Sequence, residues 1–327
     1  PQGLAELARL CAAVTTEFEN VPAAALDILA RSLPVSPAGG AVAIAQDRAA
    51  EKAHFVRCGV PVAPHAVIAT PAQLAAVDAG LLPGILKTAR LGYDGKGQAR
   101  VNTPQELAAA WDDLGRVPCV LEKMLPLAHE CSVIVARGRD GHVVHLPVQR
   151  NLHRGGILAV TEVHEGNLPP GQARQALAAA KSVADGLDYV GVLCVEFFVL
   201  QDGALVVNEI APRPHNSGHY SQNACDVSQF ELQVRAMAGL PLVQPRLHSP
   251  AIMLNLLGDL WFRDGDGPAT PPWDEVLALP GCHLHLYGKR DAKRGRKMGH
   301  LNVTGATPGA VRATALKAAA ILGIEPF

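Results

Sequence analysis

Residues 190–210, VGVLCVEFFVLQDGALVVNEI, decide how the whole chain is read. Two β-branched and aromatic runs, Val190 to Leu200 and Ala204 to Ile210, flank Asp202-Gly203, the strongest short-range hairpin signal in the sequence. A two-residue turn makes Gln201 face Ala204, so paired residue numbers sum to 405 and Glu196 faces Glu209. Opposed side chains on one face lie about 5 Å apart, and two like charges there are destabilising unless something neutralises them. A divalent cation would do so, and an oxygen-only ligand set with Asn208 beside it suits Mg²⁺ shared with phosphates better than zinc. Asn208 belongs on the opposite face of a regular strand, so it would coordinate only at an irregular strand end and is the weaker candidate. A longer turn would shift the register and leave both glutamates solvated, and the pair alone leaves that alternative open.

Upstream, residues 92–98 read GYDGKGQ between a strand ending near Lys87 and Thr88 and another beginning near Ala99. Its glycines allow backbone N–H groups to approach phosphate oxygens and Lys96 adds a point charge, although a surface turn has the same composition. No Ser or Thr follows Lys96 and no helix follows the loop, which excludes a Walker loop. Lys87 is a candidate phosphate ligand or an ordinary strand-end charge. The segment Glu122-Lys123-Met124-Leu125, ending at Pro126, could offer backbone groups to a base. Downstream, Ala211-Pro212-Arg213-Pro214-His215-Asn216-Ser217-Gly218-His219 places cationic and neutral donors directly after Glu209, where an anionic carboxyl or phosphoryl group could be held. Without the two glutamates it would be a surface loop. The basic run Lys289, Arg290, Lys293, Arg294, Arg296, Lys297 fits a phosphate-bearing small substrate better than nucleic acid, because Tyr287 is the only aromatic beside it.

The 327 residues are 49% hydrophobic and 18% charged, enough apolar material for a core shared by two or three domains. Lys plus Arg (29) nearly balances Asp plus Glu (30), so there is no global pull toward nucleic acid or an anionic membrane. Seven scattered cysteines form no C-x-x-C pair, which argues against a disulfide framework or a zinc site and fits a reducing cytosol. The longest stretch without Asp, Glu, Lys or Arg, Cys58 to Val77, carries Pro61, Pro64 and Pro71, so no membrane span is expected. The sequence starts at Pro1 without a signal-peptide pattern and is expected to lack its native beginning. A strand is predicted over Ala13 to Thr16, one helix over Val42 to Arg57, and a strand over Val60 to Ala69. A mixed sheet is expected between Val60 and Val163. Capping signals open helices after Thr103 and Ser228, a helix covers Gln172 to Leu187, and another closes the chain from Pro308.

These features, in this order, resemble the ATP-grasp superfamily. The strings GYDGKGQ (92–98), NEIAPRPHNSGH (208–219) and GRKMGHLNVTG (295–305) are similar to those of 5-(carboxyamino)imidazole ribonucleotide synthases. The resemblance covers nearly the whole chain. It implies an α/β (α+β) fold: residues 1–47 as the remnant of a preATP-grasp α/β domain, 48–240 as the ATP-grasp domain, and 241–327 as a small β-rich C-terminal domain. The family's glycine-rich first strand-turn-helix is not among the given residues. The activity implied is ATP-dependent carboxylation of aminoimidazole ribonucleotide with bicarbonate, through carboxyphosphate, in purine biosynthesis, by a cytoplasmic homodimer that binds small molecules rather than nucleic acid or membrane.

By the same resemblance, ATP would meet Arg48, Lys87, Gly92, Tyr93, Asp94, Gly95, Lys96, Gly97, Gln98, Glu122, Lys123, Met124, Leu125, Glu130, His153, Asn208 and Glu209. Mg²⁺ would sit on Glu196 and Glu209. Arg213, His215 and Asn216 would hold bicarbonate or carboxyphosphate, with Asp94 as the candidate base. The ribonucleotide would meet Glu17, Tyr93, Asp94, Lys289, Arg296 and Lys297. Two competing readings remain: another ATP-grasp ligase, such as a formate-dependent glycinamide ribonucleotide transformylase, and a catalytically silent nucleotide-binding scaffold.

Overall fold

The computed structural model describes residues 2–92, 97–263 and 269–327, and two sheets organise it. The smaller holds β1 (His65–Ile68), β2 (Gly84–Thr88), β3 (Gln98–Val101) and β4 (Cys119–Lys123) in the order β1-β4-β2-β3. The larger holds β5 (Leu127–Arg137), β6 (Val143–His145), β7 (Gln149–Arg154), β8 (Ile157–Val163), β9 (Gly191–Leu200), β10 (Leu205–Ala211), β11 (Ala251–Leu257), β12 (Cys282–Leu286) and β13 (Lys297–Thr304). Its order is β10-β9-β5-β7-β8-β11-β13-β12, with β6 paired to β5 off that path. Every pairing in both sheets is antiparallel, which corrects the expected mixed sheet. Neighbours such as β2 and β3, or β7 and β8, follow one another along the chain through short connections, which can join only antiparallel strands.

β5 and β9 are apolar on both faces because both are covered. The helix Pro170–Gly186 buries Ala176, Ala180, Val183 and Ala184 against Val133, Val135, Leu193, Val195 and Phe197. On the other face, the helix Gln229–Ala238 sets Leu232 and Ala236 among Ile134, Ala136, Val192 and Cys194. The closing helix Pro308–Leu322 packs Val311, Ala315, Ala318 and Leu322 on β11 and β13. The helix Pro104–Asp113 supports the small sheet through Leu107 and Trp111. The Thr103 and Ser228 caps form as read, each hydroxyl accepting the amide of the glutamate three residues on.

β11 pairs with β8, so the large sheet continues without a break into the C-terminal strands. A strand edge that would otherwise be open is thereby closed.

Three expected elements differ. The helix read over 42–57 is two, Gly39–Ala45 and Arg48–Arg57, because Asp47 is an N-cap whose Oδ1 accepts the Ala49 and Ala50 amides at 3.1 and 3.2 Å. The strand expected at 13–16 is a single parallel bridge, Val14 to Val35. The strand expected from Val60 begins only at His65, since Pro61 and Pro64 remove ladder donors.

The deciding hairpin forms by another turn. The Leu200 amide donates to Ala204 O at 2.8 Å, closing a three-residue loop with Gly203 at φ 85°, and pairs then sum to 404 from Leu205↔Val199 to Val207↔Phe197. A bulge at Asn208 restores the sum of 405, so Glu209 does face Glu196. The predicted turn is corrected, and the pair is reached through two offsets that cancel.

Candidate active site

Glu196 and Glu209 stand opposite each other near the C-terminal end of β10, each already engaged. His215 Nε2 lies 3.0 Å from Glu196 Oε1. The Ser217 amide approaches His215 Nδ1 at 3.3 Å, which puts the ring proton on Nε2, toward the carboxylate. Burial alone would raise the Glu196 pKa, but His215, His153 and Lys297 together hold it at about 2. Glu209 Oε2 takes Arg48 Nη1 at 3.0 Å, and Arg48 Nη2 also reaches Gly92 O at 3.5 Å, so the start of the glycine-rich loop and the carboxylate pair meet on one guanidinium.

The bulge is the irregularity that Asn208 needed. Two residues, Asn208 and Glu209, oppose Glu196, and Asn208 Oδ1 is buried with no hydrogen-bond partner among the described residues. Two carboxylates opposed across the strands and an orphaned amide oxygen on the bulge are donor types that hard cations such as Mg²⁺ take, whereas the cluster of potential ligands already drawn together among the described residues is Cys194, Glu196 and His215. Asn216, in the loop after β10, is likewise buried with neither amide atom paired among the described residues.

On the small sheet, Lys87 and Lys52 flank one buried carboxylate, with Lys87 Nζ 2.9 Å from Glu122 Oε2 and Lys52 Nζ 3.1 Å from Oε1. Burial would raise the Glu122 pKa, but the two ammonium groups hold it at about 2. The Glu122 side chain is thus committed to lysines rather than to a base. The Lys123 and Met124 amides donate to Pro64 O and Pro83 O, both at 2.9 Å, so a base meeting this segment would use its other backbone groups. Gly97, at φ 68°, would place a Cβ 2.7 Å from Thr88 Oγ1, so glycine is required where the loop rejoins β3 at Gln98. Tyr93, Asp94, Gly95 and Lys96 lie outside the described residues. Glu130 and His153 form an ion pair across β5 and β7. Burial would lower the His153 pKa, but Glu130, with Glu196 and Glu209 through space, raises it.

The expected anion loop is partly occupied. Arg213 Nε is bonded to Glu19 and Nη1 donates to Pro214 O at 3.0 Å. Burial would raise the Glu19 pKa, but the guanidinium lowers it. Sequence reading chose Glu17 from that segment. Glu17 is exposed, and its charge acts on both Arg213 and Lys289. Lys289, Arg296 and Lys297 gather at one place: Lys289 Nζ donates to Lys297 O at 2.5 Å, and burial followed by the two neighbouring cations lowers its pKa.

A histidine stack was not visible in the sequence, because its rings come from distant segments. His300 stacks on His219 and on His285, each with centroids 4.5 Å apart. Tyr287 Oη donates to His300 Nδ1 at 2.9 Å, and His300 Nε2 donates to Gln222 Oε1 at 3.2 Å, the pattern of a neutral ring. Burial, reinforced by His285, pushes the His300 pKa down to about 3. Lys289 Nζ sits 5.5 Å from the Tyr287 ring centre, so the stack ties the basic run to the anion loop. No helix among the described residues is long and apolar enough to cross a membrane.

Family models match three consecutive parts of the chain: a ribonucleotide synthetase preATP-grasp domain over residues 1–46, an ATP-grasp domain over 53–230, and a phosphoribosylaminoimidazole carboxylase C-terminal domain over 251–314. The N5-carboxyaminoimidazole ribonucleotide synthase of Brucella melitensis biotype 1 is 44% identical over 304 residues, covering 92% of this chain and 81% of the relative. That of Bacillus subtilis is 38% identical over 301 residues, covering 92% and 77%. A crystal structure of an ADP complex of N5-carboxyaminoimidazole ribonucleotide synthetase superposes with TM-score 0.89 at 36% identity, covering 98% of this chain and 83% of that one. The Aspergillus clavatus enzyme, in complex with ADP and 5-aminoimidazole ribonucleotide, superposes with TM-score 0.87 at 30% identity, covering 98% and 84%. A chain that matches these relatives over most of its own length and about four fifths of theirs, in sequence and in fold, belongs to the N5-carboxyaminoimidazole ribonucleotide synthase family of ATP-grasp enzymes.

Proposed function

We propose that this protein carboxylates 5-aminoimidazole ribonucleotide with bicarbonate at the expense of ATP, giving N5-carboxyaminoimidazole ribonucleotide, ADP and phosphate in purine biosynthesis. The observation that carries the reading is the opposed pair Glu196 and Glu209, bulged at Asn208, with Arg48 joining the pair to the glycine-rich loop. Mg²⁺ would be held by Glu196 and Glu209, with Asn208 as a weaker candidate ligand, and would offset phosphate charge during phosphoryl transfer.

Arg48 and Lys87 supply the fixed cations for the phosphates, since phosphoryl transfer needs positioning and charge more than covalent help from the protein. Bicarbonate oxygen attacks the γ-phosphoryl group, expelling ADP, to give carboxyphosphate, which Asn216 and Arg213 hold by its carboxyl, while His215, in the same loop, keeps its Nε2 on Glu196. The unpaired amide of Asn216 supports its part in that hold. Lys289, Arg296 and Lys297 take the phosphate of the ribonucleotide, whose amine attacks the activated carbon. Glu130 and His153 would contact ATP, and Glu17 the ribonucleotide. Residues 1–47, 48–240 and 241–327 are read as the three domains, in a cytoplasmic homodimer.

ADP release is the test. It is expected to require both bicarbonate and aminoimidazole ribonucleotide for full rate. Turnover supported by formate in place of bicarbonate would favour the transformylase reading, and absence of ADP release under all conditions the silent scaffold.

A further inference from the structure

One turn of the helix Arg48–Arg57 reaches three consecutive residues of β10. Arg48 Nη1 lies 3.0 Å from Glu209 Oε2, the Ile210 amide donates to Glu51 Oε1 at 2.7 Å, and Lys52 Nζ donates to Asn208 O at 2.9 Å. The spacing i, i+3, i+4 puts all three side chains on one helical face. Residues 208–210 are also where the β9–β10 register jumps by one. A bulge leaves local backbone groups outside the ladder, and here one amide and one carbonyl are taken by side chains that are only 2% and 1% exposed. Burying a carboxyl and an ammonium to satisfy two backbone groups is costly unless the geometry they hold matters.

The consequence of losing them is specific. If the 404 register of the turn side continued past Val207, Asn208 would face Glu196, and Glu209 would face Val195 on the other side of the sheet. We propose that Glu51, with Lys52 beside it, is a positioning residue that pins this bulge and so aims Glu209 at Glu196 for a divalent cation. Lys52 also bonds Glu122 on β4, so the same helical turn links the bulge to the lysine pair of the small sheet. The inference rests on Glu196 and Glu209 being the metal carboxylates.

The test reads metal binding rather than turnover: free Mn²⁺ counted by electron paramagnetic resonance as the full chain is titrated in the presence of ADP. Glu51→Gln keeps an acceptor for the Ile210 amide and should bind Mn²⁺ within about twofold of the parent, whereas Glu51→Leu should bind about 10-fold more weakly or worse, with ADP affinity in metal-free buffer unchanged. Should Glu51→Leu fail to fold, Glu51→Asp, which withdraws the acceptor by one methylene, is read by the same criterion. Leu or Asp variants that bind Mn²⁺ like the parent, or a Gln variant as weak as they are, overturn the proposal. Glu209→Gln separates the two claims. If it binds Mn²⁺ normally, the metal reading itself fails; if it loses Mn²⁺ while Glu51→Leu does not, only the positioning role fails.

Discussion

Two glutamates with similar depressed pKa values do different work. Glu122 is closed between Lys52 and Lys87, whereas Glu196 meets His215 and, through space, Lys297 of the basic run. Glu122 therefore makes a prediction about stability. Its folded pKa of about 2 lies below the ordinary 4.5, so it contributes stability that is fully present above pH 4.5 and lost as pH falls toward 2. At about 1.4 kcal/mol per unit this is about 3 kcal/mol. Urea denaturation between pH 5 and pH 2 should show that slope in the parent and a flatter one in Glu122→Gln. Equal slopes would contradict the buried triad. For Glu209→Gln, loss of turnover by about 100-fold or more is expected with the far-UV circular dichroism unchanged. Near-normal turnover would remove the metal role.

The hairpin shows why register cannot be read from turn residues alone. Asp202-Gly203 marked the right place, yet Gly203 closes a three-residue loop, and the offset it introduces is undone at Asn208 by contacts from a helix some 150 residues away. Spacing along the chain carries no record of such contacts. The glycine-rich loop is a second element with a local constraint. Gly97→Ala puts a Cβ at left-handed φ against Thr88 and should cost about 1–2 kcal/mol. Thermal denaturation reads that cost, and steady-state titration should show a raised KM for ATP. An unchanged melting temperature together with an unchanged KM would show that the loop tolerates the side chain. The capped helices behaved more simply, since Thr103 and Ser228 bond within four residues of themselves.

At the scale of the molecule, the site is assembled from every part of the chain. Glu19 holds Arg213 from the first segment, the helix Arg48–Arg57 joins the two sheets through Lys52, and the stack His219–His300–His285 docks the C-terminal strands on the anion loop. A ligand that binds only the folded chain stabilises it. Mg·ADP at 100-fold over its Kd should therefore add about 2.7 kcal/mol to the folding free energy of the parent. Calorimetry should show the corresponding rise in Tm, shrinking in Glu209→Gln. A rise of equal size in both, at equal total ligand, would mean that the carboxylate does not contribute to holding the complex.

Features set by neighbours in sequence were legible from residue type within a few positions: helix caps, hairpin location, the glycine-rich stretch and the basic run. Three-dimensional packing alone decided which of these groups meet. The antiparallel continuity of the large sheet, the bulge that seats Asn208, the pairing of Glu19 with Arg213 and the commitment of Glu122 to two lysines all join residues far apart in the chain. Such contacts depend on how buried charges find partners once water is excluded, and that cost is not written in any local stretch of sequence.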